Sequence, residues 1–290
     1  MFRLPPLVAV VIVAASVLVA CGDAEEMVDD PTLSPSRTAV ARAIAKPLLT
    51  PVPTTPEPPP PPPPTPWPTL EPLAPLPPIS GDVAKVITRG DTSRMTVAFS
   101  FDAGSDTGYA GLILDTLAAN GIKASFGMTG KWAERNPELL QRMVAEGHHL
   151  INHTYDHASM TGASTRTRAL AREERWWELD RTEEIIMGLT GVTTKPFFRP
   201  PYGAHDASVN QDVGARGYLY NVMWTVDSRG WMGWSAGAMT QRCIQLAQPG
   251  AIYVFHVGSA SQDGPALQGI IDGLRAAGYT MGTVPDVLPR

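Results

Sequence analysis

From about residue 80 onward, short apolar runs alternate with longer amphipathic ones. Thr96-Val-Ala-Phe-Ser-Phe101 reads as a strand, 109–120 as a helix stopped by Gly121, and 123–128 as a second strand. A helix over 137–146 stops at Gly147, and 149–152 is a short strand end. Residues 166–189 form a long, charge-laced helix with Trp176, Leu179, Ile186 and Leu189 as inward positions. Short strands near 196–198, 218–224 and 251–255 then alternate with helices around 207–217, 236–246 and 266–277. Repeated strand-then-helix order implies parallel strands joined by right-handed crossovers, hence a barrel or a doubly wound sheet. No glycine-rich phosphate loop follows any strand, so a nucleotide-binding reading has no anchor.

Roughly the first quarter of the chain follows different rules. Residues 1–21 carry Arg3, an apolar run from Leu7 to Ala20 and then Cys21, followed at once by polar, acidic sequence. That is the pattern of an export signal, and the run falls short of the roughly 20 residues a membrane-spanning helix needs. Leu18-Val-Ala-Cys21 resembles the lipobox of bacterial lipoproteins, which implies acylation of Cys21 and attachment to a membrane through a lipid anchor. Residues 22–46 are polar and without sustained periodicity. Residues 47–78 hold 17 of the 29 prolines, seven of them consecutive at 58–64. Proline fixes φ and removes the backbone donor, so this stretch reads as a polyproline stalk of about 100 Å. The folded domain is then 79–290.

Composition sharpens this picture in two ways. A formal charge of −5 with mixed signs offers no basic stripe for a phosphate backbone, which argues against nucleic-acid partners. With Cys21 consumed by processing, Cys243 has no partner, and stability must come from a core, for which 43% hydrophobic residues suffice in a domain of this size.

In strand-then-helix folds the C-terminal strand ends form the working face. Asp102, His153, His157, Arg199, Tyr202, Asp227 and His256 all follow apolar strand runs. Singly, each has a plain structural explanation, such as a helix cap or an ion pair. Together, three of six histidines with two aspartates and an arginine point to a site. His153-Thr-Tyr-Asp-His157 spaces two imidazoles to share one side of a helical turn, which suits two ligands of one divalent ion. His148 and His149, just before them, read as structural.

Five ordered motifs, Ser100-Phe-Asp-Ala-Gly104, His153-Thr-Tyr-Asp-His157, Arg199-Pro-Pro-Tyr202, Asp227-Ser-Arg-Gly-Trp231 and Phe255-His256, resemble the polysaccharide deacetylases, the family 4 carbohydrate esterases. The resemblance covers about 95–290. It implies a distorted (β/α) barrel of about seven repeats and metal-dependent removal of acetyl groups, usually from an N-acetylated sugar. It also implies that His153 and His157 bind a divalent metal, zinc ahead of cobalt or nickel. Asp102 is then the general base, His256 the general acid, and Arg199 holds Asp102. Tyr202 offers its backbone N–H to the oxyanion, and Trp231 walls the pocket.

Two positions depart from the pattern. The family usually has a second aspartate, a metal ligand, where this chain has Ala103, and a methyl group coordinates nothing. Asp106 is the nearest carboxylate to replace it, the alternative being a cap for the helix near residue 109, and Asp156 is a weaker candidate. Gly230 stands where the family commonly has an aspartate that orients the catalytic histidine, a task expected to pass to Asp227. The sequence thus points to an exported, lipid-anchored, monomeric deacetylase acting on N-acetylated polysaccharide outside the membrane, most plausibly peptidoglycan, with chitin-type oligomers next. The rivals are a glycan-binding protein that kept the groove and lost the chemistry, and an esterase for O-acetyl groups on xylan or wall sugars.

Overall fold

The computed structural model describes residues 82–289; Cys21, the export signal and the proline-rich stretch lie outside them. The described elements run β1 (Lys85–Ile87), β2 (Thr96–Ala103), α1 (Ala110–Ala119), β3 (Ser125–Met128), α2 (Gly130–Arg135), α3 (Pro137–Ala145), β4 (His149–Asn152) and α4 (Arg172–Thr190). They continue with β5 (Phe197–Phe198), α5 (Ala207–Ala215), β6 (Tyr220–Val222), β7 (Val226–Asp227), α6 (Ala236–Gln245), β8 (Ile252–His256), α7 (Asp263–Ala276), β9 (Thr280–Gly282) and α8 (Val284–Val287). Short 3₁₀ turns occupy Pro201–Gly203 and Gly230–Met232.

Every ladder is parallel, in the order β1-β6-β5-β4-β3-β2-β8-β7, and β9 pairs with the N-terminal half of β2. The chain beyond β1 crosses to the start of β8, where the Gly90 N–H donates to the Gly250 carbonyl at 2.8 Å and Arg89 bridges Ala251. The sheet therefore curls into an incompletely closed barrel, one of the two architectures that the strand-then-helix order allows and the one that the family resemblance implies.

Alternation along β2 sorts the interior into two layers. Val97, Phe99, Phe101 and Ala103 face outward and pack with Ile113, Leu117, Leu267 and Ile271 of the flanking helices. Ala98 faces inward with Ile151, Val222 and Ile252. Ser100 and Asp102 share that inward face by the same alternation, so polar residues follow the apolar ones towards the barrel mouth.

The sequence pattern places α4 too early. Residues 166–171 belong to a loop, closed by Thr167 N–H to the Gly162 carbonyl (3.0 Å) and Leu170 N–H to the Met160 carbonyl (3.1 Å). The helix begins where Glu174 reaches back to the Ala171 N–H at 2.7 Å. Of its expected inward positions, Trp176, Leu179 and Ile186 are buried and Leu189 is half-buried.

His149 packs its ring edge-on against Phe197, and its Nδ1 lies 3.0 Å from the Ser125 hydroxyl. Burial pushes its pKa down from 6.5 to about 4. The folded state therefore keeps it neutral while the unfolded chain takes up a proton below about 6.5. This contribution to stability is full above that pH and is lost as pH falls towards 4. His149→Gln should flatten the pH dependence of the unfolding free energy in that window, by about 3 kcal/mol; an unchanged slope would refute the assignment.

Candidate active site

Register brings Asp102 beside Gly127 of β3 on one side and His256 of β8 on the other. Arg199, immediately after β5, is fully buried. It donates through Nη1 to Asp102 Oδ1 (2.7 Å), through Nη2 to the Ser100 hydroxyl (2.7 Å) and through Nε to the Val222 carbonyl (2.9 Å). Burial opposes the charged form of Asp102, yet Arg199, His153 and His256 outweigh it and hold the carboxyl below its ordinary range. A Cβ at Gly127 would stand 2.7 Å from Asp102 Oδ1, so the carboxylate uses the space a side chain there would fill.

His153 follows β4 and is buried; its Nδ1 lies 2.9 Å from the Arg199 carbonyl. A carbonyl only accepts, so Nδ1 carries the proton and Nε2, 3.7 Å from Asp102 Oδ2, keeps a free lone pair. His157 stacks edge-on against it, with ring centroids 4.9 Å apart. The spacing predicted one side of a helical turn, but the two rings meet across a loop in which Thr154 and His157 both take positive φ, 66° each. That loop is held by Glu178 of α4, whose carboxylate accepts the N–H groups of Tyr155 (2.7 Å) and Asp156 (3.1 Å), and by Asn152, which accepts the Thr154 N–H (3.0 Å). Burial lowers the pKa of His153, and burial with the neighbouring His153 takes His157 to about 4. Both imidazoles are neutral at physiological pH, the form that ligates metals.

His256 ends β8 and faces the same cleft, of about 290 Å³, which Asp102, His153, His157 and Trp231 also line. Burial works against its charged form, but Asp263, Asp102 and Asp227 raise its pKa. Asp227 is engaged elsewhere: its carboxylate accepts the Arg229 N–H (2.8 Å) and the Trp231 indole N–H (3.2 and 3.3 Å). Tyr202 sits over His157 at 4.6 Å between centroids, and Tyr202 and Trp231 form an exposed aromatic rim. Tyr202 (φ 60°) and Arg229 (φ 64°) join His157 among the few non-glycine residues in the left-handed region, a conformation retained where surrounding structure enforces it.

The expected replacement ligand is not brought to the histidines. Both Asp106 oxygens are taken by Ser259, Oδ1 by its N–H (2.7 Å) and Oδ2 by its hydroxyl (2.6 Å). Serine's paired donors pin the carboxylate to the loop after β8, and the carboxylates that act on His157 are Asp102 and Asp156. Asp106 does not cap α1 by a side-chain hydrogen bond either. Ala103 is fully buried in the outer apolar layer. Among the described residues no group of three or more histidine, cysteine or acidic side chains is arranged to hold a metal. The donors present fit a divalent cation through two positions, His153 Nε2 and His157, and leave the rest of its shell to water and substrate. Asp263, Glu178 and Asn152 escaped the sequence reading; the one signal for Asp263 was its place a few residues beyond the strand-end His256.

Fold and site place the chain among the (β/α)-barrel proteins that work at the C-terminal ends of their strands. The polysaccharide deacetylase family profile matches residues 89–220. The chain is 32% identical over 185 residues to the peptidoglycan-N-acetylglucosamine deacetylase of Bacillus cereus, covering 64% of this chain and 62% of that protein. It is 30% identical over 205 residues to the peptidoglycan-N-acetylmuramic acid deacetylase PdaA of Bacillus subtilis, covering 69% and 73%. A family 4 pseudoenzyme from Bacillus anthracis superposes with a TM-score of 0.64 at 26% identity, covering 71% of this chain and 69% of that one. A mutant of it with restored enzymatic activity superposes equally well. The chain belongs to the polysaccharide deacetylase family, the family 4 carbohydrate esterases.

Proposed function

We propose that this protein is a hydrolase that removes acetyl groups from N-acetylated glycan, with peptidoglycan as its substrate. The observation that carries the reading is the convergence of Asp102, His153, His157 and His256 on one cleft, with Arg199 buried behind Asp102. The Bacillus cereus and Bacillus subtilis relatives are peptidoglycan deacetylases by name, which supports the choice of polymer.

His153 and His157 would hold a divalent cation, zinc in this reading, which when bound lowers the pKa of water and polarises the acetyl carbonyl. Asp102, kept ionised and aimed by Arg199, accepts the proton of the attacking water. The Tyr202 backbone N–H would donate to the developing oxyanion. His256, whose pKa is raised against burial by the carboxylates of Asp263, Asp102 and Asp227, gives its proton to the departing sugar nitrogen, without which an amine is a poor leaving group. Trp231 walls the pocket and presents an aromatic face to a pyranose ring.

At the other end of the chain, we infer that the export signal delivers Cys21 for acylation and that residues 47–78 hold the domain away from the membrane. An anchored catalytic domain on a stalk of about 100 Å suits an insoluble wall polymer better than a diffusible one. Glycan binding without turnover is the second reading, favoured by Ala103 and the two-ligand histidine set. The test is product analysis on peptidoglycan and N-acetylglucosamine oligomers: acetate and free amine must appear in equal amounts. Acetate without amine, from acetylated xylan alone, would make the protein an O-acetyl esterase.

A further inference from the structure

Asp263, the first residue of α7, is fully buried beneath His256. Its Oδ2 accepts the His256 backbone N–H (2.8 Å) and the Ser261 hydroxyl (2.6 Å), and lies 3.8 Å from His256 Nδ1. Two polar atoms in this nest are buried without a hydrogen-bond partner, His256 Nδ1 and Asp263 Oδ1. One belongs to a ring that ionises and the other to a carboxylate, and their groups are within about 1 Å of hydrogen-bond range. Unpaired buried polar atoms are costly, and a pair of opposite kind side by side is resolved by a small rotation that joins them.

We propose that Asp263 is the carboxylate that positions His256, fixing its Nδ1 so that Nε2 faces the cleft. The proposal rests on the hydrolase reading of that cleft. It also explains Gly230. A Cβ there would stand 1.9 Å from the Ser261 hydroxyl and 2.7 Å from Asp263 Oδ2, so Ser261 and Asp263 fill the volume that a side chain at 230 would need. The carboxylate beneath the histidine thus comes from the helix after β8 rather than from the turn after β7. Asp227, the alternative, spends its oxygens on Arg229 and Trp231. The charged and titratable groups facing His256 are Asp263 from α7, Asp102 from β2 and Asp227 from β7, with His153 and His157 across the cleft. Asp263 is a positioning residue: it touches the imidazole, not the substrate.

The test reads His256 directly by NMR in the purified protein, so it needs no turnover and separates failure of this proposal from failure of the hydrolase reading. In the unmodified protein, neutral His256 should carry its proton on Nδ1. Asp263→Asn keeps the shape and the acceptor for His256 N–H, and should lower the His256 pKa by about one unit or more. Asp227→Asn should move it less. The alkaline limb of the kcat/KM profile should shift to lower pH with Asp263→Asn, and kcat should fall about tenfold or more while KM stays near its original value. A neutral Nε2–H tautomer in the unmodified protein would overturn the proposal, and that reading stands even if the variant does not fold. A pKa within about 0.3 unit of the original in a folded Asp263→Asn protein, or a larger response to Asp227→Asn, would overturn it equally.

Discussion

Asp102→Asn should reduce kcat/KM for acetate release by about 10²–10⁴-fold without unfolding the protein. The amide keeps the acceptor that Arg199 Nη1 needs at 2.7 Å, so the barrel interior stays paired, but it cannot take a proton from water. The loss should fall on kcat, because the exposed aromatic rim of Tyr202 and Trp231 is unaltered. Steady-state kinetics beside a thermal melt separates the two effects. A variant that melts normally and retains more than about a tenth of the activity would remove Asp102 from the role of base.

Arg199→Ala carries the largest expected stability effect. Its guanidinium makes three bonds inside the barrel and is fully buried. Removing it leaves the Asp102 carboxylate buried without its cation, a change that typically costs about 3–5 kcal/mol. The sign of the pH dependence follows from Asp102. Its pKa is depressed in the folded state, so it stabilises the fold above the unfolded carboxylate value of about 4 and loses that contribution as pH falls through the folded value. Without Arg199 the depression goes, and burial then drives the pKa upward, so the variant should gain relative stability on acidification where the parent loses it. Urea midpoints at neutral and mildly acidic pH decide this; parallel slopes for the two proteins would refute the buried pair as the cause.

Sequence and structure agree best where a side chain's position follows from strand alternation. Asp102 and His256 pair on adjacent strands, where the alternation of Phe99-Ser-Phe101 and Tyr253-Val-Phe255 excludes a one-residue slip that would turn both apolar faces the wrong way. Arg199 was readable for the same reason, as the polar residue ending a two-phenylalanine strand. The strands β1, β7 and β9 were missed because two or three residues carry no measurable period. The adjacency of the two histidine rings is legible in their spacing, but the loop that joins them is not, since it depends on Glu178, which contributes its carboxylate from a distant helix. The Asp106 carboxylate is bonded to Ser259, a partner remote in sequence that no local pattern around Asp106 shows. Asp263 lies before the helix that the pattern predicts from 266, and its meaning comes from the space left by Gly230, a relation no linear pattern encodes.

The same fold at the same TM-score includes a pseudoenzyme and its mutant with restored activity, so architecture alone does not decide between chemistry and binding. The decision lies with the two-histidine site. The most direct measurement is acetate release from peptidoglycan by the purified protein, first stripped with a chelator and then given zinc, cobalt or nickel. Activity should disappear on stripping, return with metal, and fail to return in His153→Ala at any metal concentration. No acetate under any metal, from a protein that still binds the saccharide, would contradict the hydrolase reading and leave a glycan-binding protein in its place.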